Sequence, residues 1–316
     1  MMQFRTQIPI SKSNYPIDYN SSIFSLGSCF AENISDKLEY FKFQNDVNPF
    51  GIIFNPVSLE KIIRRIVQKD IFTEKDIFFH NERWNCYEVH SDLSNSNKNE
   101  FLQNLNSILE ITNCQIIKST HILITLGTAW VYKNIESKQI VANCHKVPQK
   151  QFTKELLSVE AIQESLENII SLISSVNKAT KHIFTVSPVR HIKDGFIENT
   201  LSKSHLITAL HTCIRNNPTS NYFPSYEILM DELRDYRFYN QDMLHPNQTA
   251  IDYIWDLFLE NYIDTKESTI MQQVSEIQKA LHHKPFNIES QNHQQFLLKL
   301  QDKIIVLQQK YSQMKF

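Results

Sequence analysis

Ser22-Ile23-Phe24-Ser25-Leu26-Gly27-Ser28-Cys29-Phe30-Ala31 joins a short, apolar, β-prone run to a glycine, and from Ala31 to Phe41 apolar residues recur at Ile34, Leu38 and Phe41. The spacing predicts a strand, a tight turn and a helix. The pattern returns at His121-Ile122-Leu123-Ile124-Thr125-Leu126 before Gly127, and at His182-Ile183-Phe184-Thr185-Val186 before Ser187-Pro188. Unbroken apolar runs of this length read as parallel strands buried on both faces. Helical periodicity fills the intervals at 57–68, 99–112, 159–176, 199–215 and 248–262. Strands alternating with helices imply βαβ units and an open parallel sheet, an α/β fold whose sites lie at the carboxyl ends of the strands.

Glycine occurs only at Gly27, Gly51, Gly127 and Gly195, and the first three stand at or just after apolar runs. Beyond Thr265 the character changes: 270–281 and 294–311 are rich in Gln, Lys and Leu at helical spacing. The chain is therefore divided into a main domain at 1–264 and a helical extension at 265–316, the latter expected to carry no chemistry. The Ser/Asn/Lys stretch 91–99 is expected to be an exposed loop.

Composition narrows the function. A net charge of −2 over 316 residues gives no basic footprint for a nucleic-acid backbone. The start Met1-Met2-Gln3-Phe4-Arg5-Thr6 has no apolar signal core, and no apolar run has membrane-spanning length, so a cytoplasmic protein that does not engage membranes is expected. Five scattered cysteines without a CxxC pair argue against a disulfide framework and against structural zinc, and most are expected to be buried thiols. No metal or redox cofactor is implied.

Two places carry chemistry. Ser28 and Cys29 sit where a strand turns into a helix, a position that lifts a side chain clear of the sheet and offers it unpaired N–H groups. A thiol there is expected to have a lowered pKa. The structural alternative makes Ser28 the helix cap and Cys29 core filler. In Asp242-Met243-Leu244-His245-Pro246 a carboxylate and an imidazole stand three residues apart ahead of a helix. That spacing lets the carboxylate hold Nδ1 while Nε2 faces outward as a general base.

Gly27-Ser28-Cys29-Phe30-Ala31, Asn48-Pro49-Phe50-Gly51, Leu126-Gly127-Thr128-Ala129-Trp130 and the terminal Asp242-Met243-Leu244-His245-Pro246 together resemble the ordered blocks of the SGNH (GDSL-like) hydrolase superfamily, and most closely its GSCFA family, over about 7–262. The resemblance implies a three-layer α/β/α sandwich with a flavodoxin-like parallel sheet, and esterase or acyl-transfer chemistry. Aligning glycine with glycine puts Cys29 at the nucleophile position, with Ser28 an alternative one residue away. The implied oxyanion hole combines the N–H groups of Cys29 and Gly51. The asparagine donor of the superfamily is missing from 127–130, which leaves Thr128 as its substitute or the chemistry slower or different.

The substrate class so implied is a small-molecule or carbohydrate acyl ester, or an acyl-coenzyme A. Gly127, Trp130, Arg190, His191 and Arg237 are candidate substrate contacts, and Trp84, Trp130 and Tyr132 candidate walls of a cleft. Around them Glu227, Arg234 and Asp235 form either a salt-bridged scaffold for the Asp/His loop or part of a clamp for an anion. Cys144-His145 is assigned a structural or rim role. The reading from a different class is a catalytically silent binding protein that keeps the fold and uses its tail in an assembly.

Overall fold

A computed structural model describes residues 6–316, so the reading of Met1–Arg5 lies outside the described residues. Five parallel strands form the central sheet: β1 (Ser22–Gly27), β2 (Gln44–Val47), β5 (His121–Leu126), β9 (Lys181–Val186) and β10 (Ser220–Tyr222), in the order β10-β9-β5-β1-β2. Numbered within the sheet alone, that is 2-1-3-4-5, the flavodoxin-like doubly wound order. The order reverses at β1, so the crevice beyond the carboxyl ends of β1 and β5 is where such a sheet receives a ligand.

The β1, β5 and β9 runs are apolar throughout because both faces are covered. Phe24, Leu26, Ile122, Ile124, Leu126, Phe184 and Val186 point to one core, and Ile23, Leu123 and Ile183 to the other. The first is closed by α2 (Pro56–Gln68), α3 (Lys98–Lys118), α4 (Val159–Val176) and α5 (Phe196–Arg215). The second is closed by α1 (Cys29–Tyr40), α7 (Gln248–Tyr262), α8 (Ser268–Leu281) and α9 (Gln291–Lys310). The three-layer α/β/α expectation holds. A short α6 (Ser225–Glu227) runs into a π turn at Ile228–Glu232 after β10.

Antiparallel pieces flank the sheet and were not foreseen. A hairpin pairs β3 (Phe78–His80) with β4 (Arg83–Asn85) through Asn81 and Glu82, both at positive φ as a two-residue hairpin turn of the I′ kind demands. Between β5 and α4, β6 (Trp130–Asn134), β7 (Ile140–Val141) and β8 (Phe152–Leu156) form a three-stranded sheet. The stretch 91–99 holds a short 3-10 turn and then Asn97, which caps α3.

The tail is packed rather than free. Leu300, Leu307, Tyr311 and Met314 are buried in the α1/α7 core, and the Tyr311 ring lies 5.2 Å from that of Tyr19. Gln313 Nε2 donates to Tyr19 O at 3.0 Å and Gln278 Nε2 to Tyr40 O at 3.0 Å. No helix among the described residues is long and apolar enough to cross a membrane.

Candidate active site

Gly27 makes the turn that ends β1. Its φ of +130° and the approach of Thr125, whose carbonyl oxygen would stand 2.1 Å from an added Cβ, leave room only for glycine. The turn is tied on both sides: Ser28 N–H donates to Thr125 O at 3.0 Å, Gly27 N–H to Asn48 Oδ1 at 2.8 Å, and Ile53 N–H to Gly27 O at 3.0 Å. Asn48, at φ +41°, thus holds the Gly27-Ser28-Cys29 turn from the neighbouring strand end.

Within this turn the two candidate nucleophiles divide. Ser28 is fully buried and its Oγ accepts from Phe30 N–H at 3.3 Å as the N-cap of α1. Cys29 occupies the first helical position and is partly exposed. The expected fall in its pKa is not what the surroundings give. Burial raises the thiol and Glu32 adds to the rise, against the N–H groups of Cys29 and Phe30 and the charge of Lys203, which lower it. Glu32 lies in the first turn of α1, so the positive end of the helix is already shared with a carboxylate. Of the other cysteines, Cys86 and Cys213 are buried, Cys144 is intermediate and Cys114 exposed, so the thiols are less buried as a set than expected.

Two of the implied oxyanion donors are engaged elsewhere. Gly51 N–H donates to Asn48 O at 2.7 Å in the turn that its φ of +75° closes. Thr128 N–H meets Phe54 O at 3.3 Å, and its hydroxyl pairs with Ser202 Oγ at 3.1 Å while accepting from Trp130 N–H at 3.0 Å. In this conformation neither is free to receive an oxyanion, because Gly51 closes its own turn and Thr128 is held by Phe54 and Ser202.

His245 Nδ1 lies 2.6 Å from Asp242 Oδ2, while Asp242 Oδ1 accepts from the N–H groups of Leu244 at 2.9 Å and His245 at 3.0 Å. These three bonds hold the Asp242 carboxyl down at about 2, the backbone donors first. An ionised carboxylate only accepts, so Nδ1 carries the hydrogen of this bond and Nε2 is the ring nitrogen left facing away from the pair. The loop bearing the pair is clasped by Asn247, which caps α7 and donates to Arg237 O at 2.6 Å and Tyr239 O at 3.3 Å.

Beneath the strand ends lies a residue that the sequence reading passed over. Lys203 of α5 is 1% exposed, and its Nζ donates to Gly127 O at 2.8 Å and Ser187 O at 2.7 Å, tying the ends of β5 and β9 together. Burial pulls its pKa down to about 7, while the nearby Cys29 thiolate would raise it. His191 is buried at Nε2 without a hydrogen-bond partner, edge-on to Phe54 at 5.4 Å. Burial, then the charges of Lys203 and His245, bring it down to about 3. Electrostatic reach therefore links Cys29 to Lys203, Lys203 to His191, and His191 to His245.

Beside the Asp242 loop opens a cleft of about 330 Å³, lined by Arg190, Arg234, Tyr236 and Tyr239 together with Asp242 and Leu244. Arg237 is not among the lining residues; its guanidinium is turned to Asp235 at 3.0 Å. Trp130 is held against α5, its Nε1 donating to Glu198 O at 3.1 Å beneath the Lys154 ammonium. Trp84 packs on Phe79 and Tyr132 on Phe152, so the aromatic wall expected of these residues does not form at this cleft. Glu227 accepts from Tyr222 OH at 2.7 Å. His145 is buried with Nε2 2.7 Å from Cys86 O, a structural placement. Among the described residues no group of three or more His, Cys, Asp or Glu side chains is placed to hold a metal ion.

Comparison with known proteins gives one consistent result. The model of the GSCFA family matches residues 22–258, and that of the GSCFA domain protein, C-terminal domain, matches residues 274–316. No curated protein matches the chain. With the strand-turn-helix at 22–40, the Asp242/His245 loop and the packed tail all inside the matched regions, the chain belongs to the GSCFA family.

Proposed function

We propose that the chain is an acyl-group enzyme of the SGNH type, an esterase or acyltransferase in which Cys29 is the nucleophile. The observation that carries the reading is the 2.6 Å bond between His245 Nδ1 and the ionised Asp242, which orients a base at the carboxyl edge of a doubly wound sheet. The burial of Ser28 Oγ and its engagement as a helix cap favour Cys29 over Ser28.

In the proposed reaction His245 Nε2 takes the Cys29 proton, and the thiolate attacks an ester or thioester carbonyl. The N–H at the head of α1 faces the developing oxyanion, and the buried charge of Lys203 supplies the electrostatic support that the missing asparagine would give. The tetrahedral intermediate collapses by breaking the bond to the alcohol or thiol, which leaves with the proton returned by His245. Water or a hydroxyl acceptor then attacks the acyl-thioester, releasing an acid or a new ester and restoring the thiol. Because the resting thiol is raised rather than lowered, the base is required for attack.

One observation favours the second reading, a silent binding protein: the Gly51 and Thr128 donors are both occupied. Brief exposure to p-nitrophenyl acetate, followed by intact-mass analysis and peptide mapping, separates the two. Wild type is expected to carry one acetyl group on Cys29, Cys29→Ala none there, and Ser28→Ala the same adduct as wild type. His245→Ala should slow the reaction by about 100-fold or more. An adduct on Ser28 would restore a serine mechanism, and no specific adduct on either residue would leave the binding reading.

A further inference from the structure

We infer that the cleft beside the Asp242/His245 loop is an oxyanion site, built by Arg190 and Arg234 to hold a carboxylate or phosphate carried by the substrate. The two guanidiniums reach it from separate elements: Arg190 follows the end of β9, and Arg234 follows the π turn after α6. Among the described residues neither forms an ion pair. The polar contact of half-buried Arg190 is the Met230 thioether at 3.3 Å, a weak acceptor that leaves its charge unanswered.

The carboxylates at the cleft do not answer these charges either. Asp235 is paired with Arg237, and Asp242 with His245 and two backbone N–H groups. Two arginines therefore line a cavity whose acids are already committed, and Tyr236 and Tyr239 line it with them. Burial raises the Tyr226 and Tyr239 phenols, and the Arg190 charge opposes that rise, as an unanswered cation does. A planar fork suits the paired oxygens of a carboxylate or phosphate, and a cavity of about 330 Å³ takes a short chain bearing one such group.

Asp242 belongs both to this wall and to the His245 pair, so the bound anion lies next to the position of the base. That last step rests on the acyl-enzyme reading; the binding of the anion does not. The substrate class that follows is an acyl ester or thioester bearing an acid group close to the reacting carbonyl.

Sodium glutarate and inorganic phosphate, each titrated calorimetrically into the full chain at low ionic strength, test the site directly. Wild type and Lys178→Gln, which removes a charge before the start of β9 at the opposite end of the sheet, are expected to bind one equivalent of at least one anion. Arg190→Gln and Arg234→Gln should each weaken it by about tenfold, the loss of one charge-assisted pair. Arg234 is exposed, so its variant keeps the fold even if the Arg190 variant does not. Glutarate binding alone assigns a carboxylate and phosphate binding alone a phosphate. Absence of binding to wild type, or equal binding by both arginine variants, overturns the proposal.

A matched pair of esters then separates the two readings. Mono-p-nitrophenyl glutarate should acylate Cys29 faster than p-nitrophenyl acetate in wild type, with the preference lost in Arg234→Gln. If neither ester acylates Cys29 while an anion binds through the arginines, the cleft stands and the acyl-enzyme reading fails. If both esters acylate equally and no anion binds, the cleft proposal alone falls.

Discussion

Lys203 is the residue whose placement departs furthest from its type. A lysine buried without a carboxylate is costly, and here two carbonyls rather than an acid receive the ammonium. In the folded chain it loses its proton near pH 7, whereas in the unfolded chain it keeps it to about 10.5, so its cost to the fold is full below pH 7 and eases as pH rises through that window. Its charge also opposes the burial and the Glu32 carboxylate that hold the Cys29 thiol up. Lys203→Met should therefore slow alkylation of Cys29 by iodoacetamide at pH 6, where the lysine carries its charge and favours the thiolate. Exposed Cys114 provides the internal reference, and equal rates at Cys29 in both proteins would remove Lys203 from the account.

At the scale of elements, α5 explains why part of the site could be read and part could not. The apolar stripe Leu206, Ala209, Leu210 and Cys213 continues backward at helical spacing onto Asn199, Ser202 and Lys203, all buried. Each of the three serves the strand ends: Asn199 Oδ1 accepts from His191 N–H, Ser202 Oγ from Ala129 N–H, and Lys203 donates to Gly127 O. Polar residues on a buried stripe were the signal available in the sequence, and a helix read only for its periodicity passes them over. Likewise β6, β7 and β8 are short and partly polar, so neither run length nor alternation marks them, whereas β1, β5 and β9, apolar on both faces, are legible at once. The Gly27 turn and the Asp242/His245 spacing were legible because each depends on local geometry. The engagement of Thr128 was not, since it depends on which carbonyl and hydroxyl the fold brings near.

The same scale makes Asn247 informative. It caps α7 with its oxygen and holds the carbonyls of Arg237 and Tyr239 with its nitrogen, so one side chain fixes both ends of the loop that presents His245. Asn247→Ala should lower stability by about 1 kcal/mol as a lost cap. It should slow acylation of Cys29 by about 10- to 100-fold through misplacement of the base. Urea unfolding and the rate of acetyl-adduct formation separate the effects, and an unchanged rate would show that the loop is held by other contacts.

For the whole molecule, buried imidazoles lower stability in acid, His182 and His191 most strongly. His182, with both ring nitrogens unpartnered, is lowered to about 4 by burial and the Lys181 charge, and His191 to about 3. Below the ordinary value of 6.5 the unfolded chain binds protons that the native chain refuses, so stability falls as pH drops through 6.5, and continues to fall to about 4 for His182 and about 3 for His191. By pH 5 each contributes a loss of about 2 kcal/mol. His182→Leu should make the decline between pH 7 and pH 5 shallower in chemical denaturation, and an unchanged decline would show that His182 is not the group being titrated.

The packing of the tail on Tyr40 and Tyr19 joins residues 238 and 294 positions apart in the chain. On the ribosome, then, α1 is made well before the two helices that roof it. A nascent chain arrested before Ser268 lacks both helices that finish the α1 layer, and pulse proteolysis should cut it within α1 where the released chain resists.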